Sequence, residues 1–148
     1  MYKKILVPVD GSKRAEMAFP HMQELARLYD AEVTILFVLL QTFATGVEGA
    51  FIQSIENNAE IALEKAKYYM DRVYKEMRAA GVNIKSQIAQ GDVVDSIIAT
   101  AKNENSDLII MTSHGRSGVG RVFYGSVAAG VLNRIDRPLL IIRSRTAE

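Results

Sequence analysis

The chain alternates between two hydrophobic rhythms. Lys4 to Val9 is a short apolar, β-branched run ended by Pro8 and the turn-forming Asp10-Gly11-Ser12, and it reads as a strand. Ala15, Ala18, Met22, Leu25, Ala26 and Tyr29 then recur at helical spacing. Pro20 falls inside that pattern and predicts a kink or a late start, because its ring crowds the preceding turn and it has no N–H to donate. Glu32 to Leu40 is a second apolar run of strand length. Ile55, Ala59, Ala62, Ala66, Tyr69, Val73 and Met77 mark one face of a long amphipathic helix over 50–80, stopped at Gly81. Val82, Ile84, Ser86 and Ile88 alternate with period two, predicting a third strand with one more polar face, nearer the sheet edge.

Gly91-Asp92 opens the next helical pattern, carried by Val94, Ile97, Ile98 and Ala101. Asp107 to Thr112 is a fourth strand, Gly125 to Ile135 a short helix and Pro138 to Arg143 a fifth strand, while 114–124 is irregular. Strands that alternate with helices predict a parallel sheet covered on both faces. Right-handed crossovers then select a single-domain α/β fold over 1–148: an open, doubly wound, five-stranded parallel sheet with helices on both faces. The fifth strand, Leu139-Leu140-Ile141-Ile142, is apolar on both faces and follows the last helix, so it is expected at a sheet edge. An apolar edge needs cover, and antiparallel pairing with a second copy through 138–143 would supply it, giving a homodimer.

Composition narrows the chemistry. The 148 residues include no cysteine and only two histidines, His21 and His114, which removes disulfides, cysteine-based metal sites and a cysteine nucleophile. No stretch is long and apolar enough for a spanning helix: the longest run without charge, Val33 to Val47, is fifteen residues and contains Gln41, Thr42, Thr45 and Gly46. The three apolar residues between Lys4 and Pro8 fall short of an export signal, so the cytoplasm is the expected compartment, with no membrane partner. A net charge of +1 argues against nucleic acid as a bulk electrostatic partner. That net charge hides an asymmetry. Residues 1–113 hold 12 basic and 15 acidic side chains, whereas 114–148 hold six arginines and two acids. Arginine suits bidentate phosphate contacts, and it also scatters on ordinary surfaces.

In an open α/β sheet, ligands bind beyond the carboxyl ends of the strands. After the first strand come Pro8, Val9 and Asp10. After the fourth come Met111, Thr112, Ser113, His114, Gly115, Arg116, Ser117, Gly118, Val119, Gly120 and Arg121, and then Gly125-Ser126-Val127 opens a helix. Four of the ten glycines lie in the eleven residues from Gly115 to Gly125. Glycine lets backbone N–H groups approach an anion and tolerates positive φ. Successive N–H groups form a nest, and a helix N-terminus adds its positive dipole end. Ser126 could cap that helix or donate to a phosphate oxygen, and Arg116 and Arg121 add charge. The segment reads as an anion site. Gly120-x4-Gly125 lacks the following lysine of a Walker A loop, and Gly118-Val119-Gly120 lacks the third glycine of the dinucleotide fingerprint. Asp10 suits either a nucleoside hydroxyl or amide, or an Asx-turn with Ser12. His114 has no carboxylate beside it, so it reads as a turn or lining residue, and no catalytic residue is assigned.

Ile5-Leu6-Val7-Pro8-Val9-Asp10-Gly11-Ser12, Asp107-Leu108-Ile109-Ile110-Met111, Ser113-His114-Gly115 and Gly125-Ser126-Val127 together resemble the universal stress protein family. The spacing Gly115-x9-Gly125-Ser126 matches the second half of the glycine motif of its ATP-binding branch, and the motif's first glycine falls on Thr112. The resemblance implies that Pro8, Val9 and Asp10 flank the adenine and ribose, that Val38 packs on the adenine, and that Met111 and Thr112 line the opposite wall. Gly115, Gly125, Ser126 and Val127 would hold the phosphates, beside Ser113, His114, Arg116 and Gly118 in the same loop. The expected function is ATP binding, with or without Mg²⁺, and slow hydrolysis at most, since the Mg²⁺ ligands and water-positioning group of fast NTPases have no candidates. The alternatives are an adenylylating enzyme of the adenine-nucleotide α-hydrolase-like group, or a dimeric adaptor that binds no nucleotide.

Overall fold

The computed structural model describes residues 1–40, 49–114 and 125–144. Five strands, β1 (Lys4–Val9), β2 (Glu32–Leu39), β3 (Asn83–Gln90), β4 (Leu108–Thr112) and β5 (Leu139–Ile142), alternate with four helices, α1 (Phe19–Tyr29), α2 (Gly49–Ala79), α3 (Val93–Asn103) and α4 (Ser126–Arg134). The sheet order is β3-β2-β1-β4-β5 and every neighbouring pair is parallel. The expected doubly wound sheet is therefore present, with β3 and β5 at its edges.

Proline decides how the first helix starts. A short 3-10 turn over Ala15–Ala18 precedes α1, and Pro20 sits in the first α-helical turn, where a missing N–H costs nothing. This is the late start. Gly81, at φ +85, ends α2 in the left-handed conformation that a helix stop favours. Asp92 caps α3 by accepting from the Asp95 N–H at 2.9 Å.

The period-two pattern of the strands splits the core into two layers. Ile5, Val7, Val9, Val33, Ile35, Leu108 and Ile110 face one side and pack under α1 and α2, where Phe19, Met22, Met70, Val73 and Met77 meet them. Leu6, Leu36, Ile109 and Met111 face the other side and pack under Ile97 and Ala101 of α3 and Ala128 and Val131 of α4. Each fully buried side chain of this kind stabilises the fold by about 1.5–3 kcal/mol. Among the described residues no helix is long and apolar enough to cross a membrane.

The arginine excess of the C-terminal segment has a partly structural explanation. Arg137 donates to the Ala101 and Ser106 carbonyls at 2.8 and 2.9 Å, and pairs with Asp136. Arg134 pairs with Asp95 at 2.7 Å, joining α4 to α3. Arg116, Arg121 and Arg145 lie outside the described residues.

Tyr69 of α2 carries an electrostatic burden. Its ring meets Phe37 edge-on, with centroids 6.0 Å apart, and the Arg72 guanidinium lies 5.1 Å from its centroid. Its hydroxyl is buried and has no hydrogen-bond partner among the described residues. Burial raises the Tyr69 pKa well above the ordinary tyrosine range, and the Glu16 carboxylate adds to the rise. In the unfolded chain the phenol ionises near about pH 10. Above that pH the unfolded state releases its proton first, so stability falls as pH rises toward the folded value. Denaturant titrations should therefore show wild type losing more stability than Tyr69→Phe above about pH 10. At neutral pH Tyr69→Phe should be at least as stable as wild type, because an unpaired buried hydroxyl is removed. A clear loss of stability at neutral pH would show that the hydroxyl has a partner.

Candidate functional site

The chain leaves β1 toward β2 on one side and returns to β4 on the other, so a crevice opens above the carboxyl ends of β1 and β4. A cavity of about 290 Å³ occupies this position, close to the lower end of small-molecule sites. It is lined by the ends of β1, β2 and β4 and by the first turns of α3 and α4. Pro8, Val9, Asp10, Val38, Met111, Thr112, Ser113, His114, Gly125, Ser126 and Val127 all belong to its lining. Gly115, Arg116 and Gly118, expected in the same site, lie outside the described residues. The lining also includes Ala15, Phe37, Leu40, Val93, Ile97 and Ala128, which sequence reasoning did not select. Ile97 belongs to the helical stripe that begins after Gly91 and Val93 opens α3, so their place in the lining depends on how α3 packs.

The walls differ in character. Val38, Leu40, Val93, Ile97, Met111 and Val127 make an apolar surface, and Leu40 remains 75% exposed. Asp10, Thr112, Ser113, His114 and Ser126 bring polar atoms.

Asp10 is held by a turn. Its Oδ1 accepts from the Ser12 N–H at 2.9 Å, and Gly11 between them has φ +85, a conformation few residues other than glycine adopt cheaply. The Ser12 hydroxyl then accepts from the Ala15 N–H at 3.2 Å. The Asx-turn alternative is thus realised, and it fixes the carboxylate within the cleft lining.

The start of α4 departs from expectation in one respect. Ser126 does not cap the helix. It is the first helical residue, Gly125 holds the capping position, and no side-chain cap is formed. The first helical hydrogen bond runs from the Ala129 N–H to the Gly125 carbonyl at 2.9 Å. The N–H groups of residues 126–128 therefore precede the hydrogen-bonded ladder, at the positive end of the helix dipole.

Gly125 meets a close approach, not a left-handed turn, for its φ is −57. Its N–H donates to the Ser113 carbonyl at 2.7 Å. A Cβ on Gly125 would stand 2.9 Å from that carbonyl oxygen, a backbone atom with little room to give. The end of β4 and the start of α4 are thus fastened to each other.

Ser113 is a junction. Its N–H donates to the Ile142 carbonyl at 2.8 Å, and its Oγ accepts from the Ser144 N–H at 3.1 Å. The same Oγ lies 3.1 Å from Nδ1 of His114 and 3.3 Å from the Ser144 hydroxyl. Thr112 Oγ1 donates to the His114 carbonyl at 2.9 Å.

The model of the universal stress protein family matches residues 1–143. The universal stress protein MJ0577 of Methanocaldococcus jannaschii is 31% identical over 159 residues, covering 99% of this chain and 98% of that one. The chain belongs to the universal stress protein family. The MJ0577 structure superimposes with a TM-score of 0.85 at 32% identity, over 99% of both chains. Two universal stress protein structures with nucleotides share the fold at lower identity. One in complex with cAMP gives a TM-score of 0.70 at 22% identity, over 97% of this chain and 98% of that one. One from Arabidopsis thaliana with AMP bound gives 0.68 at 18%, over 97% and 93%.

Proposed function

We propose that this universal stress protein binds an adenine nucleotide, ATP first among them, in the cleft above β1 and β4. The observation that carries the reading is the start of α4. A helix N-terminus without a side-chain cap, opened by a glycine and followed by a serine, adjoins a cleft that is otherwise largely apolar. N–H groups that precede the hydrogen-bonded ladder, at the positive end of a helix dipole, suit a phosphate, and the apolar wall around Val38 and Met111 suits a flat heteroaromatic base. Asp10, fixed by its turn, would accept from ribose hydroxyls. The AMP and cAMP complexes of more distant members support the same ligand class.

Asp10 is the one carboxylate in the described lining. Mg²⁺ carried in on a triphosphate would therefore keep mostly phosphate and water ligands. The described residues provide no general base with an orienting carboxylate, so we assign ligand binding, with hydrolysis slow at most, and a role in stress response through the nucleotide-loaded state. A cysteine-free ATP-binding chain fits the cytoplasm.

Replacement of Gly125 tests the phosphate assignment. In Gly125→Ala the new Cβ presses on the Ser113 carbonyl and pushes the start of α4 away from the position a phosphate would use. Loss of one or two charge-assisted contacts, about 1.5–3 kcal/mol, predicts an ATP affinity roughly ten- to hundredfold weaker in a calorimetric titration. Adenosine, which lacks phosphates, should lose much less, and circular dichroism should remain native. Equal losses for ATP and adenosine would remove α4 from phosphate binding.

We also propose that the protein is a homodimer joined along β5. Leu139, Leu140, Ile141 and Ile142 are all only half-buried, and the strand has one neighbour in the sheet, β4. A second copy pairing antiparallel would satisfy the open backbone edge and cover the apolar side chains. Light scattering at micromolar concentration should read twice the 16.4 kDa of one chain. A single-chain mass would refute the pairing.

A further inference from the structure

Ser144 lies just beyond β5 and is absent from the cleft lining, yet it contacts two residues that belong to it. Its N–H donates to Ser113 Oγ at 3.1 Å, its hydroxyl is 3.3 Å from the same oxygen, and that hydroxyl also reaches the His114 carbonyl at 3.5 Å. Ser113 is 6% exposed, and its N–H, carbonyl and hydroxyl are all engaged. They lead to three separate pieces: the end of β5, Gly125 at the start of α4, and the imidazole of His114. A shift of Ser113 therefore moves the glycine that places α4 and the ring that lines the cleft.

We propose that Ser144 is a positioning residue for the ligand site: by holding the Ser113 side chain from outside the cleft, it sets where Gly125 and His114 stand, and so sets the affinity for the phosphate part of the ligand. This rests on the nucleotide-binding reading given above. The clamp has a backbone half and a hydroxyl half. Ser144→Ala keeps the N–H donor and removes the hydroxyl, which leaves Ser113 Oγ with one partner fewer and frees its orientation relative to His114. Ser144→Thr restores a hydroxyl at the same place. Neither variant touches the hydrophobic layers of the sheet.

The geometry has a directional consequence. Ser113 connects to the phosphate side, through Gly125 and His114, and not to the apolar wall formed by Val38, Leu40 and Val93. Disturbing it should therefore separate two ligands that share a base and differ in phosphates. A residue that merely supports the fold would weaken both alike or lower stability without touching affinity.

The test is a titration of wild type, Ser144→Ala and Ser144→Thr with ATP and with adenosine, together with the nitrogen resonances of the His114 imidazole in ligand-free protein. Loss of a neutral hydrogen bond predicts roughly two- to tenfold weaker ATP binding for Ser144→Ala. Adenosine affinity should stay the same, the His114 resonances should shift, and Ser144→Thr should recover both ATP affinity and resonances. Wild-type ATP affinity in Ser144→Ala with unmoved His114 resonances would overturn the inference while leaving nucleotide binding intact. Failure of wild type to bind ATP at all would instead overturn the nucleotide reading and this inference with it.

Discussion

The structure of the site depends on one short contact between two backbones. The Gly125 N–H donates to the Ser113 carbonyl at 2.7 Å, and the same carbonyl stands where a Gly125 Cβ would be. A strand end and a helix start approach this closely only when one of them has no side chain. The contact fixes where α4 begins. Through that, it fixes which N–H groups open the helix, with a glycine that has no side chain at the capping position. Glycine here serves proximity, since its φ is one that any residue adopts.

The sheet supplies the frame in which this contact matters. Because the strand order runs β3-β2-β1-β4-β5, the ends of β1 and β4 lie side by side while their following segments diverge to opposite faces. The crevice that results is bounded by a turn on one side, where Asp10 and Gly11 reverse the chain, and by the Ser113–Gly125 neck on the other. The half-polar strand β3 and the short strand β5 close the sheet at its two edges. Ser113 also bonds to the end of β5, so it joins the outer strand to the cleft.

Much of this was legible in the sequence, and the parts that were not have physical reasons. Short apolar runs, one period-two stretch and helical spacing locate the five strands and four α-helices of the described residues, since these rhythms depend on local side-chain direction. The carboxyl-end rule then led to Pro8, Asp10, Thr112, His114 and Ser126, because topology converts strand ends into a site. Of the two roles open to Ser126, the cap is not taken up: Gly125 holds the capping position, and sequence distinguishes poorly between two small residues in succession. The arginines were ambiguous for a different reason. Arg134 and Arg137 find Asp95, Asp136 and two carbonyls only after the chain has folded. The Ser113–Ser144 contact joins residues 31 positions apart and has no periodic or motif signature. Phe37, Leu40, Val93 and Ile97 entered the lining in the same way, through tertiary packing.

In the proposed function the cleft recognises a nucleotide through both its base and its phosphates. The most direct test is an equilibrium titration of the purified protein with ATP and with adenosine at two salt concentrations. Helix-terminus and side-chain contacts to phosphate predict that ATP binds more tightly than adenosine, with an advantage that narrows as salt rises and screens the exposed part of that attraction. Saturable binding of ATP that exceeds adenosine at low salt would support recognition of both parts. Absence of binding by either ligand, or equal affinity for the two at both salt concentrations, would contradict it.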